Sequence, residues 1–269
     1  MVVQIGAVGR GPPRVRKYFM ATFVLVHGAW HGGWCWGRVT KLLRAEGHDV
    51  YTPTLTGLAD RSHLMAPTIN LSTHVRDITN LITWEGLSDV VLVGHSYGGM
   101  VIAGVAEAVA ERLAAYVVID GFVPEDGEYG FAKRGAKRNA DTMEMVNRSG
   151  QGWRMPAYSA ASFGVNAADQ AWVDSLLTDH PLACFTEPLR LTGKRETIAR
   201  RHYIRAETYP NDNFAELTET LSSAPGWTVY RMNCGHDIMI DQPQELATEL
   251  ARFALERRAV PRGRTSPNG

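Results

Sequence analysis

The stretch Val90-Val91-Leu92-Val93-Gly94-His95-Ser96-Tyr97-Gly98-Gly99-Met100 decides the fold. Its four leading residues are β-branched or leucine, the composition of a strand buried on both faces, and the run from Met100 to Ala110 suits a helix. Between them stands G-x-S-x-G, a strand-to-helix bend that needs small residues at its flanks because the backbone is strained and closely packed. Such a bend lifts the Ser96 hydroxyl out of the sheet and sets it at a helix N-terminus, where backbone N–H groups stabilise developing negative charge. A bare G-x-S-x-G is common by chance. The strand and helix around it mark Ser96 as a candidate nucleophile.

Outward from this bend, short apolar runs alternate with helical patterns. The runs are Thr22 to Val26, Asp49 to Thr52, Val90 to Val93, Tyr116 to Ile119, His202 to Ile204 and Thr228 to Met232. This alternation predicts an α/β class, a mostly parallel, doubly wound sheet with helices on both faces. Val75, Ile78, Leu81 and Ile82 recur at helical spacing after a candidate N-cap, Ser72, and a last helix should start at Pro243 and bury Leu246, Leu250 and Phe253. From about 124 to 200 no strand-like run appears, while Met143, Met145, Trp153, Met155, Phe163, Trp172 and Phe185 are scattered among small and charged residues. That insertion reads as a small helical cap over the carboxyl ends of the strands, where ligands bind in such sheets. Residues 21–256 are expected to form the domain, with 1–20 as a disordered arm and 257–269 as a disordered tail.

The 269 residues can bury one large core, and 28 basic side chains cancel 28 acidic ones. That balance favours a small neutral ligand over nucleic acid or an anionic membrane. Homodimerisation is left open. The cysteines, Cys35, Cys184 and Cys234, have neither disulfide-framework nor zinc-pair spacing, which fits a reducing cytoplasm. No apolar run reaches the ~18 residues of a membrane span, and the basic N-terminus lacks the apolar core of a secretory signal. Translation can start at Met1 or at Met20, directly before the first strand.

A serine hydroxyl needs a base within hydrogen-bond reach. His236, in Asn233-Cys234-Gly235-His236-Asp237, follows the last predicted strand and precedes the final helix, the chain position expected of that base. His48, His74, His180 and His202 read as surface or structural histidines, and His95 as pointing away from the serine's face. The first strand runs into His27-Gly28-Ala29-Trp30-His31-Gly32-Gly33-Trp34, whose glycines let a backbone amide approach a substrate; the Ala29 and Tyr97 amides are the candidate oxyanion donors. His27 and His31 lack a third ligand at useful spacing, so no metal is expected. For the acid that orients His236, Asp120 at the end of the Tyr116 to Ile119 strand is favoured over Glu207, and Glu207 over Asp212.

The motifs His27-Gly-Ala-Trp-His-Gly-Gly-Trp34, Gly94-His-Ser-Tyr-Gly-Gly99 and Gly235-His236 resemble those of the plant methylesterase and hydroxynitrile-lyase family, with its salicylic-acid-binding-protein-2-like members and bacterial carboxylesterase relatives. The resemblance covers roughly Ala21 to Phe253. It implies an α/β-hydrolase fold with a small helical cap, a Ser–His–acid triad, no cofactor, and cleavage of small, often aromatic or methyl, esters. Lyase members carry threonine and lysine where this chain has Gly28 and Asp237, which disfavours cyanohydrin cleavage. The family aspartate falls near Thr208 or Tyr209, neither a carboxylate, and this absence raises Asp120. Thr52 to His63 looks like a loop of the bacterial relatives at the sheet's carboxyl edge, where Asp60 and His63 are open to substrate contact or to bonds within the loop. The resulting expectation is a serine hydrolase that forms an acyl-enzyme from a small carboxylic ester. A lactonase or amidase on the same triad, a non-catalytic small-ligand receptor and a cofactor-free oxygenase are the competing readings.

Overall fold

A computed structural model describes residues 20–255. The expectations for the N-terminal arm, apart from Met20, and for the C-terminal tail lie outside them. Six parallel strands form the sheet: β1 (Thr22–Val26), β2 (Asp49–Tyr51), β3 (Val90–His95), β4 (Leu113–Ile119), β7 (Arg201–Ala206) and β8 (Trp227–Met232). Their order is β2-β1-β3-β4-β7-β8, so the chain reverses direction across the sheet between β1 and β3. Every residue of β3 is buried, as is nearly every one of β4, because helices cover both faces. The edge strand β8 buries only Met232, its other residues being exposed or half-exposed.

The helices are α1 (Gly37–Ala45), α2 (Leu71–Trp84), α3 (Gly98–Val109), α4 (Ala136–Ser149), α5 (Gln170–Asp174), α6 (Ala183–Thr186), α7 (Asp212–Ser223), α8 (Ile238–Asp241) and α9 (Pro243–Leu255). As the spacing requires, α9 starts at Pro243 and buries Leu246, Leu250 and Phe253. The N-cap of α2 is Asn70 rather than Ser72: the Asn70 side chain accepts the Thr73 amide, and Thr73 reciprocates. Ser72 is instead held by Glu187, whose carboxylate accepts its amide and hydroxyl at 2.7 Å each.

Between β4 and β7 the chain forms the cap, with α4, α5 and α6. It holds one feature absent from the sequence pattern, a two-residue antiparallel ladder of β5 (Arg154–Met155) and β6 (His180–Pro181). Two residues per strand are too few for a period-2 signal to show. His202 lies within β7, as the strand pattern predicts, and is stacked on Phe253 at 3.9 Å. Among the described residues, no helix is long and apolar enough to cross a membrane.

Candidate active site

The register of the sheet brings three strand ends together: Val26 of β1 pairs with Gly94 of β3, and His95 of β3 with Ile119 of β4. Ser96 follows β3 with φ +53° and Asp120 follows β4 with φ +38°, both in the left-handed region that disfavours side chains. Such strain persists only where packing enforces it. Here the Ser96 amide donates to the Ile119 carbonyl at 3.0 Å, and the Phe122 amide donates to the Ser96 carbonyl at 3.2 Å. A Cβ at Gly121 would lie 2.7 Å from the Ser96 amide nitrogen, and one at Gly98 would lie 2.8 Å from the Val26 carbonyl oxygen. The glycines thus permit a close approach of backbones that no other residue tolerates.

Within the bend, the Gly99 and Met100 amides donate to the Ser96 and Tyr97 carbonyls, so the amide of Tyr97, at the N-cap of α3, has no carbonyl one turn back to reach. Ala29 sits opposite, after β1, and both residues line a cavity of about 530 Å³ together with Ser96 and His236. Three of the seven cap residues singled out by sequence, Met145, Phe163 and Phe185, line this cavity too. Met143, Trp153, Met155 and Trp172 do not; Met155 is buried, and Trp172 packs edge-on against Trp34. Asp60 and His63 lie exposed on the 3-10 turn Ala59–Leu64, away from the cavity.

His236 Nδ1 lies 2.6 Å from Asp120 Oδ2, with Asp120 fully buried. Neither alternative carboxylate reaches it. Glu207 is on the surface, 2.9 Å from Arg231, and Asp212 opens α7 after the Asn211 N-cap. Asp120 Oδ1 also accepts the Ala206 amide at 3.1 Å and a short bond from the buried Arg205 guanidinium. Arg205 was not legible as a site residue, since a single arginine in a strand has no signature.

A second buried pair lies beside the first. His31 donates from Nδ1 to the Ala29 carbonyl at 2.8 Å and from Nε2 to Asp237 Oδ2 at 3.1 Å. Two acceptors require two protons, so the ring is an imidazolium. Burial by itself pushes the His31 ring down, but the Asp237 charge and hydrogen bond outweigh it and hold it above its ordinary value. Burial likewise pushes Asp237 up, and the His31 charge reverses this to about 2. The pair ties the loop bearing Ala29 to the residue after His236. His95 completes the link by donating its Nε2–H to the His236 carbonyl at 3.0 Å. Burial keeps His95 neutral, well below the ordinary histidine value.

Stability should carry the mark of this pair. Asp237, depressed in the folded state, stabilises above its ordinary 3.8 and loses that contribution as pH falls towards about 2. His31, raised, stabilises below 6.5 and loses its contribution as pH climbs through its folded value. Asp237→Asn is therefore expected to cost about 3 kcal/mol near pH 5 to 6 by urea unfolding, with the gap to wild type closing on both sides. A gap that does not change with pH would contradict the ionic assignment.

His27, His74 and His180 are fastened in neutral forms. His27 donates to the Gly28 carbonyl and accepts the Leu55 amide, and burial takes it down to about 3. His74, His180 and Cys184 bring donor atoms within 4.8 Å of one another, yet their protons do not suit a cation. The Trp30 amide occupies His180 Nδ1, which leaves the proton on Nε2. The Thr56 carbonyl takes the His74 Nε2–H, and the Tyr97 hydroxyl donates to Nδ1 at 3.0 Å. Burial raises the Cys184 thiol, against the thiolate a metal needs. These groups instead hold Trp30, the neighbour of Ala29, and Tyr97, whose own amide is the second oxyanion candidate.

Comparison with known proteins bears on the fold and the family. The alpha/beta hydrolase family model matches residues 23–249. The carbendazim hydrolyzing esterase of Nocardioides sp. (strain SG-4G) is 38% identical over 251 residues, which cover 86% of this chain and 99% of that protein. Salicylic acid-binding protein 2 of Nicotiana tabacum is 36% identical over 106 residues, 38% of this chain and 40% of its own length. An extracellular alpha/beta-hydrolase from a Paenibacillus species has the same fold, with TM-score 0.75 at 22% identity over 87% of this chain and 98% of that one. With the parallel sheet, the bend after β3 and a family match across nearly all described residues, the chain belongs to the alpha/beta hydrolase family.

Proposed function

We propose that this protein hydrolyses small carboxylic esters through an acyl-enzyme on Ser96. The observation that carries the reading is the bond of 2.6 Å between His236 Nδ1 and Asp120 Oδ2, beside a cavity that both Ser96 and His236 line. Asp120 keeps the proton on Nδ1, so Nε2 is free to take the Ser96 hydroxyl proton as Oγ attacks the ester carbonyl. The Ala29 and Tyr97 amides receive the negative charge of the tetrahedral intermediate. The imidazolium then returns its proton to the departing alcohol, and water, deprotonated by the same ring, releases the acid.

A cavity of about 530 Å³ suits an acyl or alcohol group of aromatic size. The relatives named for carbendazim, methyl ester and salicylic acid chemistry support aromatic methyl esters and carbendazim as first substrates. The buried, unpaired thiols of Cys35, Cys184 and Cys234 support a reducing, cytoplasmic setting. A fluorophosphonate probe is expected to label one serine, Ser96, and to abolish turnover in proportion. On the unlabelled protein, the substrate panel should run from methyl esters to carbendazim, with a lactone and an anilide as contrasts. Full ester turnover after stoichiometric labelling would overturn the proposal, and faster lactone or anilide cleavage would move it to a lactonase or amidase.

A further inference from the structure

We infer that Arg205 is a positioning residue of this site, acting from the end of β7 to orient Asp120 and to offset its charge beside His236. The inference rests on the triad reading given above. The segment after this strand supplies no carboxylate to the site: Glu207 pairs with Arg231 at the surface and Asp212 opens α7. Arg205 spans two elements with one guanidinium. Its Nη1 donates to Asp120 Oδ1, and its Nη2 donates to the Tyr209 carbonyl at 2.6 Å.

Each contact has a consequence at the imidazole. Asp120 accepts from Arg205 and the Ala206 amide on Oδ1, so its Oδ2 is left facing His236 Nδ1, and the carboxylate has no freedom to rotate. The planar fork of arginine suits this bridge, whereas a lysine offers a point charge. Tyr209, held through its carbonyl, lays its ring on His236 at 4.3 Å between centroids and 26° between planes. The imidazole is thus fixed both at its Nδ1 edge and on one face.

The charge of Arg205 also enters a balance. The groups around His236 are Asp120 from β4, Arg205 from β7, the Tyr209 phenol after β7, His95 from β3, Cys234 and Asp237 from its own loop, and, across the cavity, Arg134, Arg138 and Asp141 of the cap. His95 is neutral, Cys234 is a thiol raised by burial to about 12, and burial raises Tyr209 too. Asp237 is matched by the His31 imidazolium. Behind the ring, on the side away from the cap, the buried carboxylates of Asp120 and Asp237 are thus offset by Arg205 and the His31 imidazolium. Removing the guanidinium leaves one negative charge in excess beside His236, which makes the ring easier to protonate.

The test is the pH profile of kcat/KM on p-nitrophenyl acetate for wild type, Arg205→Met and Arg205→Lys. Arg205→Met is expected to move the acid limb about one pH unit higher and to lower the plateau kcat about tenfold, with KM little changed. Arg205→Lys should leave the limb in place, because it keeps the charge, yet lose kcat because it cannot bridge Asp120 and Tyr209. A folded Arg205→Met with wild-type limb and kcat overturns the inference. Should the methionine variant not fold, the lysine variant decides: wild-type kcat overturns the bridge, and a several-fold loss at unchanged limb supports it. Fluorophosphonate labelling of the wild type separates the two levels. Without labelling at Ser96 the triad reading itself fails; with labelling and unmoved Arg205 profiles, only the role of Arg205 does.

Discussion

Ser96→Ala is expected to reduce kcat on p-nitrophenyl acetate by about 10⁵ to 10⁶-fold, while the melting temperature stays within a few degrees of wild type. The loss is large because the hydroxyl is the atom that bonds to substrate in the proposed mechanism, and no neighbouring group can take its place. The fold should survive because serine and alanine share the Cβ that the bend must accommodate at φ +53°. The bonds of the bend, from the Ser96 amide to the Ile119 carbonyl and from the Phe122 amide to the Ser96 carbonyl, are backbone bonds and remain. A well-folded alanine variant with substantial turnover would show that another residue attacks.

The second large effect is expected from Asp120→Asn, about 10³ to 10⁴-fold in kcat. Asparagine keeps the shape, but its amide can present a donor to His236 Nδ1 and so favour the unproductive tautomer. It also leaves the buried Arg205 without its carboxylate, which should cost about 3 kcal/mol of stability as well. Glu207→Gln is the matched control. Glu207 pairs with Arg231 at the surface, where such pairs contribute little, so activity should stay within about twofold and stability within ~0.5 kcal/mol. Equal losses in both variants, measured as kcat on folded protein, would remove Asp120 from the mechanism.

The contrast between these two carboxylates shows where reading the chain in one dimension runs out. Both follow strands, and local pattern places both at the carboxyl edge of a parallel sheet. Which one reaches the imidazole depends on strand order and on pleat. β4 lies next to β3, so Asp120 emerges one strand from the serine. Along β7 the alternation buries Ala206 and turns Glu207 outward to Arg231. The same limit applies to His31 and Asp237, which are 206 positions apart and meet only because the β1 loop and the loop after β8 converge at one rim. Asp237 stood out in the sequence merely as a departure from lyase members, and Tyr209 merely as a position lacking a carboxylate. Tyr209 stacks on the candidate base, and Asp237, next to that base in the chain, pairs with His31.

The linear chain by itself determined the sheet class, the bend at Ser96 and the glycine loop after β1, because each follows from local rules: side-chain periodicity, β-branching, and backbone conformations and approaches that only small residues permit. It also marked His236, through its place between the last strand and the last helix. Only the tertiary structure decided which carboxylate faces that histidine, that Arg205 shares it, and that His31 and Asp237 form a buried ion pair behind it. Those are contacts between charges distant in sequence, and their energy depends on separation and burial, which arise when strands are ordered side by side and water is excluded.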